Sequence, residues 1–149
     1  MQFRNNLNYD NMEISNINFL ALVIAAMASF ALGAIWYSPL LFSKAWQSAV
    51  GLTTESLEKA NMALIFGSSF VLILLMNFGL AVIVQGHAGK DVTALSGALY
   101  GFLIGLFFVA TSIGINILYQ RKTFTLWLID AGYQVIYLTI SGAILGGWR

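Results

Sequence analysis

Four long apolar runs, separated by short polar breaks, organise this chain. Ile17 to Tyr37 holds about twenty residues without a charge, enough to cross a hydrocarbon core of about 30 Å at ~1.5 Å per helical residue. Further runs extend from about Ala60 to Gln85, Thr93 to Tyr119 and Phe124 to Gly147. None alternates in the manner of a half-buried strand, so each is predicted to be a membrane-spanning helix. The breaks fit that reading. Pro39 disfavours helical geometry at Ser38 and closes the first run. Gly51 precedes Thr53 and Thr54, either of which can cap a helix that carries Glu55 and Glu58 in its first turn. Gly86-His-Ala-Gly-Lys-Asp91 reads as a tight turn, and Arg121-Lys122 as a short loop. The fold class is all-α: an up-down four-helix membrane bundle forming one domain over residues 17–149, behind a polar leader over 1–16. Met12 is an alternative start. A cleaved signal peptide ending near Gly33 is disfavoured because the apolar run continues through Trp36.

Between the first two spans, a helical wheel over residues 39–49 groups Leu41, Phe42, Ala45, Trp46 and Ala49 on one side, with Ser43, Lys44 and Gln47 on the other. This is the pattern of a short amphipathic helix lying in the headgroup plane, anchored by tryptophan.

Composition sharpens the class and narrows the chemistry. Hydrophobic residues make up 59% of the 149 and charged residues 9%, against about a quarter charged in soluble domains, so the surplus apolar surface faces lipid. A net charge of +1 creates no field that would recruit nucleic acid. There is no cysteine, one histidine and six scattered carboxylates, which excludes disulfides and thiolate sites and makes a metal site or other cofactor an unfavourable expectation. Orientation is weakly written: Arg4, Lys90 and Arg149 stand against Lys44, Lys59, Arg121 and Lys122. Because Arg4 is far from the first span, the first and third loops are expected on the cytoplasmic side, with both termini together on the other. The expected host is the cytoplasmic membrane of a bacterium.

In lipid, helices associate through small residues and interhelical hydrogen bonds. Gly97, Gly101 and Gly105 are spaced by four, and regular helical periodicity carries their face on through Ser112 to Asn116. Ala25, Ser29 and Gly33 share a face of the first span with Asn18 and Trp36. Gly142 and Gly146 lie on the fourth span, away from its polar stripe. These glycines are expected to pack helices within the chain, with an oligomer contact as the alternative.

That polar stripe is Asp130, Gln134, Tyr137 and Ser141, which fall on one face. A carboxylate at mid-membrane costs roughly 2.5–3.5 kcal/mol on insertion scales and less near the ends, so Asp130 needs compensation. Antiparallel threading brings Lys44, Trp36, Tyr37, Asn116, Arg121 and Asp130 to one surface. An ion pair of Asp130 with Lys44 or Arg121, or a role in capping and orienting the turn between the third and fourth spans, is expected. The functional alternative is a small polar cavity lined by Asp130, Asn116 and Gln134 that takes a substrate, an ion or a lipid headgroup. Asn77 is expected to hydrogen-bond between helices, His87 to be solvated in its turn, and Tyr100 and Tyr133 to pack. His87 and Asp130 lie near opposite surfaces, which rules out a Ser/His/Asp triad.

Two stretches carry a resemblance. Gly33-Ala-Ile-Trp-Tyr-Ser-Pro-Leu-Leu-Phe-Ser-Lys-Ala-Trp46 followed by Gly51-Leu-Thr is the first. Phe108-Val-Ala-Thr-Ser112 with Leu128-Ile-Asp-Ala-Gly-Tyr-Gln134 and Gly142-Ala-Ile-Leu-Gly-Gly-Trp148 is the second. Together they resemble the domain of unknown function 1761 family of small membrane proteins, with Ser43 where that text has glycine. The resemblance implies a four-helix membrane domain and supplies no activity, ligand set or catalytic residue. Three functions compete on the residues: a non-enzymatic membrane protein that binds, as a homo-oligomer or with a partner membrane protein; a small transporter or channel with a polar path at Asp130 and Gln134; and, less favoured, an enzyme acting on membrane lipid.

Overall fold

A computed structural model describes residues 17–87 and 92–148. The polar leader, most of the turn expected over 86–91, the His87 side chain and the basic residues Arg4, Lys90 and Arg149 lie outside the described residues.

The described chain is helical, without a strand among these residues. Helix α1 (Phe19–Trp36) starts at Asn18, whose side chain accepts from the Ala21 amide. Helix α2 (Ser43–Val50) ends at Gly51, whose φ of +85° is a left-handed conformation that glycine enters without a Cβ penalty. A single turn, α3 (Thr54–Glu58), is closed by a reciprocal capping box between Thr53 and Ser56. Asn61 then caps a new helix, α4 (Met62–Ala81), which continues as a π-helical turn over Val82–His87. The third span is α5 (Ala94–Ile104), a π-helical segment over Gly105–Ala110, and α6 (Thr111–Tyr119). Capped by Thr123, α7 (Phe124–Gly147) completes the chain. Four of these stretches, Phe19–Trp36, Met62–Gly86, Ala94–Tyr119 and Phe124–Gly147, are long and apolar enough to cross a membrane. The molecule is an all-α membrane bundle.

Helix α7 is the hub. One side of it takes α1, with Trp36 beside Ile129 and Gly33 against Tyr133. The other takes α5, with Gly101 against Leu138 and Gly97 against Gly142 and Gly146. Helix α4 runs parallel to α7 at the edge of α1, where Phe30 meets Phe66 and Phe70 edge-on at ring separations of 6.2 and 5.6 Å. The extensive contacts run α4–α1, α1–α7, α4–α7 and α7–α5, and none joins the second span to the third. The core is therefore a seam along α7, containing Ala21, Leu22, Ala25, Leu80, Val84, Tyr133, Tyr137, Leu138 and Leu145.

Backbone proximity explains the α5–α7 side. A Cβ on Gly97 would overlap the carbonyl oxygen of Gly142, one on Gly142 that of Gly97, and one on Gly146 that of Thr93. Only glycine permits such an approach, and close approach is what supplies dispersion contact where lipid gives no hydrophobic drive. Gly97, Gly101, Gly105, Gly142 and Gly146 are thus occupied within the chain and offer no free stripe to a second copy.

The continuation of the Gly97–Gly105 face to Ser112 and Asn116 requires correction. The π-helical segment adds a residue to one turn, which rotates everything after it by roughly 100°. Beyond it, Ala110, Gly114 and Ile117 turn toward α7: the Ala110 carbonyl accepts from Trp127 Nε1 at 2.8 Å, and Gly114 faces the Trp127 ring. Ser112 and Asn116 are exposed, and the Asn116 amide donates to the Ser112 carbonyl of its own helix at 3.1 Å.

The segment after Pro39 is corrected too. Pro39 to Phe42 form turns, tied by the Phe42 amide to the Trp36 carbonyl at 3.1 Å and the Ser43 amide to the Ser38 carbonyl at 3.2 Å. Helix α2 therefore begins at Ser43 and is rotated relative to a wheel counted from Pro39. Ser43 is buried and accepts from Gln47 Nε2 at 3.1 Å, while Leu41 and Ala45 are exposed.

Candidate functional site

The end of the bundle where α1 stops and α7 begins gathers the aromatics. Tyr37, one residue past α1, and Trp46, one turn into α2, meet with rings 5.4 Å apart and near edge-on. Both address Asp130. Tyr37 Oη donates to Asp130 Oδ1 at 3.0 Å, and Trp46 Nε1 donates to the same oxygen at 3.0 Å. Hydrogen bonds to a charged group contribute about 1.5–3 kcal/mol each, so two of them offset the insertion cost of a carboxylate near the membrane end. Trp36 supports the arrangement by donating Nε1 to the Ile129 carbonyl at 3.0 Å and by packing on Phe42.

The expected ion pairs of Asp130 with Lys44 or Arg121 are not formed. Lys44 and Arg121 are exposed, and the ion pair present among the described residues joins Lys59 to Glu55 at the surface. The cause is the rotation of α2, which turns Lys44 outward and brings the indole of Trp46 in. Arg121 ends α6 in a left-handed conformation, φ 54°, as a loop residue. Asn116, expected in the same cluster, points away from it for the reason given above.

Asp130 remains half-buried, and its second oxygen has no donor among the described residues and is not sealed from the surroundings. One turn deeper on the same face, Gln134 is also half-buried, and its Oε1 is buried without a donor. The site is thus an oriented carboxylate with one oxygen to spare and two aromatic donors as its frame, while the carboxamide oxygen of Gln134 is sealed off from it.

Deeper still, the polar face of α7 closes. Tyr133 donates to the Ser29 carbonyl at 3.1 Å, which fills the space that Gly33 leaves on α1. Ser29 and Ser141 pair hydroxyl to hydroxyl at 2.9 Å, and Tyr137 donates to the sulfur of Met76. Asn77 is fully buried, yet its amide donates to the Ile73 carbonyl of its own helix and its Oδ1 has no donor, so it does not bridge helices as expected. At the far end, Gln85 Nε2 donates to the Leu145 carbonyl at 2.7 Å while its Oε1 accepts the Asn18 amide at 2.9 Å. Sequence reasoning missed the roles of Trp46 and Gln85. The signal for Trp46 was available, since an indole N–H at the membrane end where a carboxylate needs compensation is a natural donor.

Among the described residues no three His, Cys, Asp or Glu side chains come together. A surface depression lined by Ile115, Leu118 and Tyr119 lies on α6, away from Asp130. No curated protein and no solved structure matches the chain. A family model, described as "Protein of unknown function (DUF1761)", matches residues 20–146, which take in the four spans but for Phe19 and Gly147 at their outer ends, and the corner from Gly33 to Trp46. The chain belongs to that DUF1761 family.

Proposed function

We propose that this is a non-enzymatic integral membrane protein that works by binding, as an oligomer or as a subunit of a larger assembly. Its place is the cytoplasmic membrane of a bacterium, with both termini on one side and the first and third loops in the cytoplasm. The observation that carries the reading is the state of Asp130. Two aromatic donors fix one oxygen and leave the other open at the bundle's end, and among the described residues no histidine, lysine or second carboxylate contacts it. The Tyr37 hydroxyl is engaged as a donor to the carboxylate, so the group presents an acceptor without the set of partners that a catalytic constellation needs.

A polar path through the same chain finds less support. Below Gln134 the face of α7 is shut by Tyr137 and Leu138 at 1% exposure and Ser141 at 0%, all packed against protein. The test is a pair of measurements on the full chain in liposomes and in nanodiscs. Proton or solute flux should match that of empty liposomes, and native mass should show a defined species heavier than one chain, or one carrying a bound partner. A flux abolished by Asp130→Asn in a variant that stays folded would overturn the reading in favour of transport.

A further inference from the structure

We propose that the outward face of α6, with Ser112, Ile115, Asn116 and Tyr119 as its seam, docks a second copy of this chain. This rests on the binding reading above and gives it a partner and a surface. The seam residues follow Ser112 at helical spacing and all are exposed, Ile115 at 56% and Tyr119 at 87%. They look away from α7 because the π-helical turn over Gly105–Ala110 gives the inward positions to Ala110, Gly114 and Ile117. The span Ala94–Tyr119 has 26 residues, roughly 39 Å of helix against a hydrocarbon core of about 30 Å. Ser112, about 10 Å from the end of that span, therefore faces hydrocarbon, and Asn116 stands near its edge.

Two polar side chains on that seam have hydrogen bonds left to make. Other hydroxyls within the spans donate back to their own helix, Ser68 to the Leu64 carbonyl and Thr139 to that of Val135. Ser112 has no such outlet, because the Phe108 carbonyl four residues before it already accepts from the Thr111 hydroxyl at 3.2 Å and from the Thr111 amide. Asn116 spends one N–H on the Ser112 carbonyl, and among the described residues its Oδ1 and second N–H meet nothing. Lipid tails supply neither donor nor acceptor, so these groups are served by another helix. All copies insert in one orientation, so two of them meet about an axis along the membrane normal, and each seam residue faces its own counterpart. A hydroxyl and a carboxamide, each donor and acceptor at once, complement themselves in that arrangement. This selects a second copy over an unlike chain, which would need matching groups at the same depth. The depression lined by Ile115, Leu118 and Tyr119 lies on the same face and gives the partner's apolar side chains a place to pack. Of the cations beyond the seam, Lys122 is drawn to the Val50 carbonyl of α2, and Arg121 stands exposed at the headgroup level, where salt screens it.

The test uses the full chain, which has no cysteine of its own. Ser112→Cys, Ile115→Cys and Tyr119→Cys, introduced singly, would be oxidised in membranes beside Leu72→Cys, a position 64% exposed on α4. At least one seam position should give a disulfide between copies, seen as a doubled mass on a gel, and Leu72→Cys should not. Energy transfer between donor- and acceptor-labelled chains in liposomes, read as added lipid dilutes them, gives the association constant. Ser112→Ala combined with Asn116→Leu should weaken association by ~10-fold or more, the worth of about one interhelical hydrogen bond. Unfolding of the same variant, measured in detergent dilute enough to hold single chains, should stay unchanged because neither side chain serves another helix of its own chain. Cross-linking no stronger at the seam than at Leu72→Cys, unchanged association in the folded double variant, or a seam cysteine bridged to a different chain in cell membranes would overturn the proposal. A heavier native species whose copies fail to bridge at the seam would remove this surface alone and leave the binding reading in place. A flux lost with Asp130→Asn would remove that reading and leave the seam measurements as they stand.

Discussion

Gly101→Ala offers the sharpest probe of why α7 is the hub. The added methyl would overlap the Leu138 carbonyl oxygen, stand 2.6 Å from its carbon and 3.1 Å from the Thr139 nitrogen. All three are backbone atoms, so no rotamer change relieves them; α5 and α7 have to separate. Restoring 3.4 Å at the carbonyl carbon alone needs a shift of roughly 0.8 Å, and the overlapped oxygen requires more. A gap of that size forfeits a quarter to a half of each pairwise dispersion well of about 0.1–0.2 kcal/mol, so on the order of fifty atom pairs across the seam would lose roughly 1–5 kcal/mol. The lower half of that loss overlaps the range of about 1–3 kcal/mol known for overpacked cores. Gly67→Ala and Gly79→Ala on α4 are the controls, because a Cβ at either meets nothing within 4 Å. They should be neutral, or stabilising by up to about 1 kcal/mol through helix propensity. Equilibrium unfolding in mixed detergent, followed by the fluorescence of the four tryptophans, measures all three. Gly101→Ala unfolding within about 0.5 kcal/mol of the α4 controls would refute the backbone-contact reasoning.

Three further outcomes test other parts of the structure. Tyr37→Phe and Trp46→Phe each remove one donor from Asp130 Oδ1, and each should cost about 1–2 kcal/mol; in an Asp130→Ala background both should cost less than half as much, as a double-mutant cycle would read. Asn77→Leu replaces a fully buried amide with an unserved oxygen by an apolar side chain of similar volume, and should leave unfolding free energy unchanged or raise it by up to about 1–2 kcal/mol. Because the chain has no cysteine, Ala94→Cys with Gly147→Cys can be introduced without background; a Cβ on Gly147 would stand 3.0 Å from that of Ala94, closer than the about 3.5–4.5 Å of a disulfide, so a slight parting of the helix ends should let mild oxidation close a bridge detectable by gel mobility.

Much of the fold was legible because membrane helices announce themselves by length and apolarity, and because glycines spaced by four mark a face whatever packs on it. Gly97, Gly101 and Gly105 meet α7, and the glycines of α7 meet α5, on a face separate from its polar stripe. What failed was phase. A π-helical turn over Gly105–Ala110 has no residue signature, and it turned Ser112 and Asn116 away from the face assigned to them. Likewise, turns from Pro39 to Phe42 delayed α2 by one turn, so the lysine expected at Asp130 points outward and a tryptophan takes its place. A helical wheel holds only while the helix stays regular, and both errors arose where a π-helical turn or a run of local turns interrupted it. The need for compensation at Asp130 was readable from the cost of a membrane carboxylate. Its source was not, because neutral donors and cations satisfy that need equally well.

The most direct test of the arrangement around Asp130 is an experimental structure of the full chain in a lipid nanodisc containing phosphatidylethanolamine. The expected result has Tyr37 Oη and Trp46 Nε1 both within hydrogen-bond distance of one Asp130 oxygen and Lys44 in solvent. Lys44 or Arg121 paired with Asp130, with the two aromatics turned away, would contradict it.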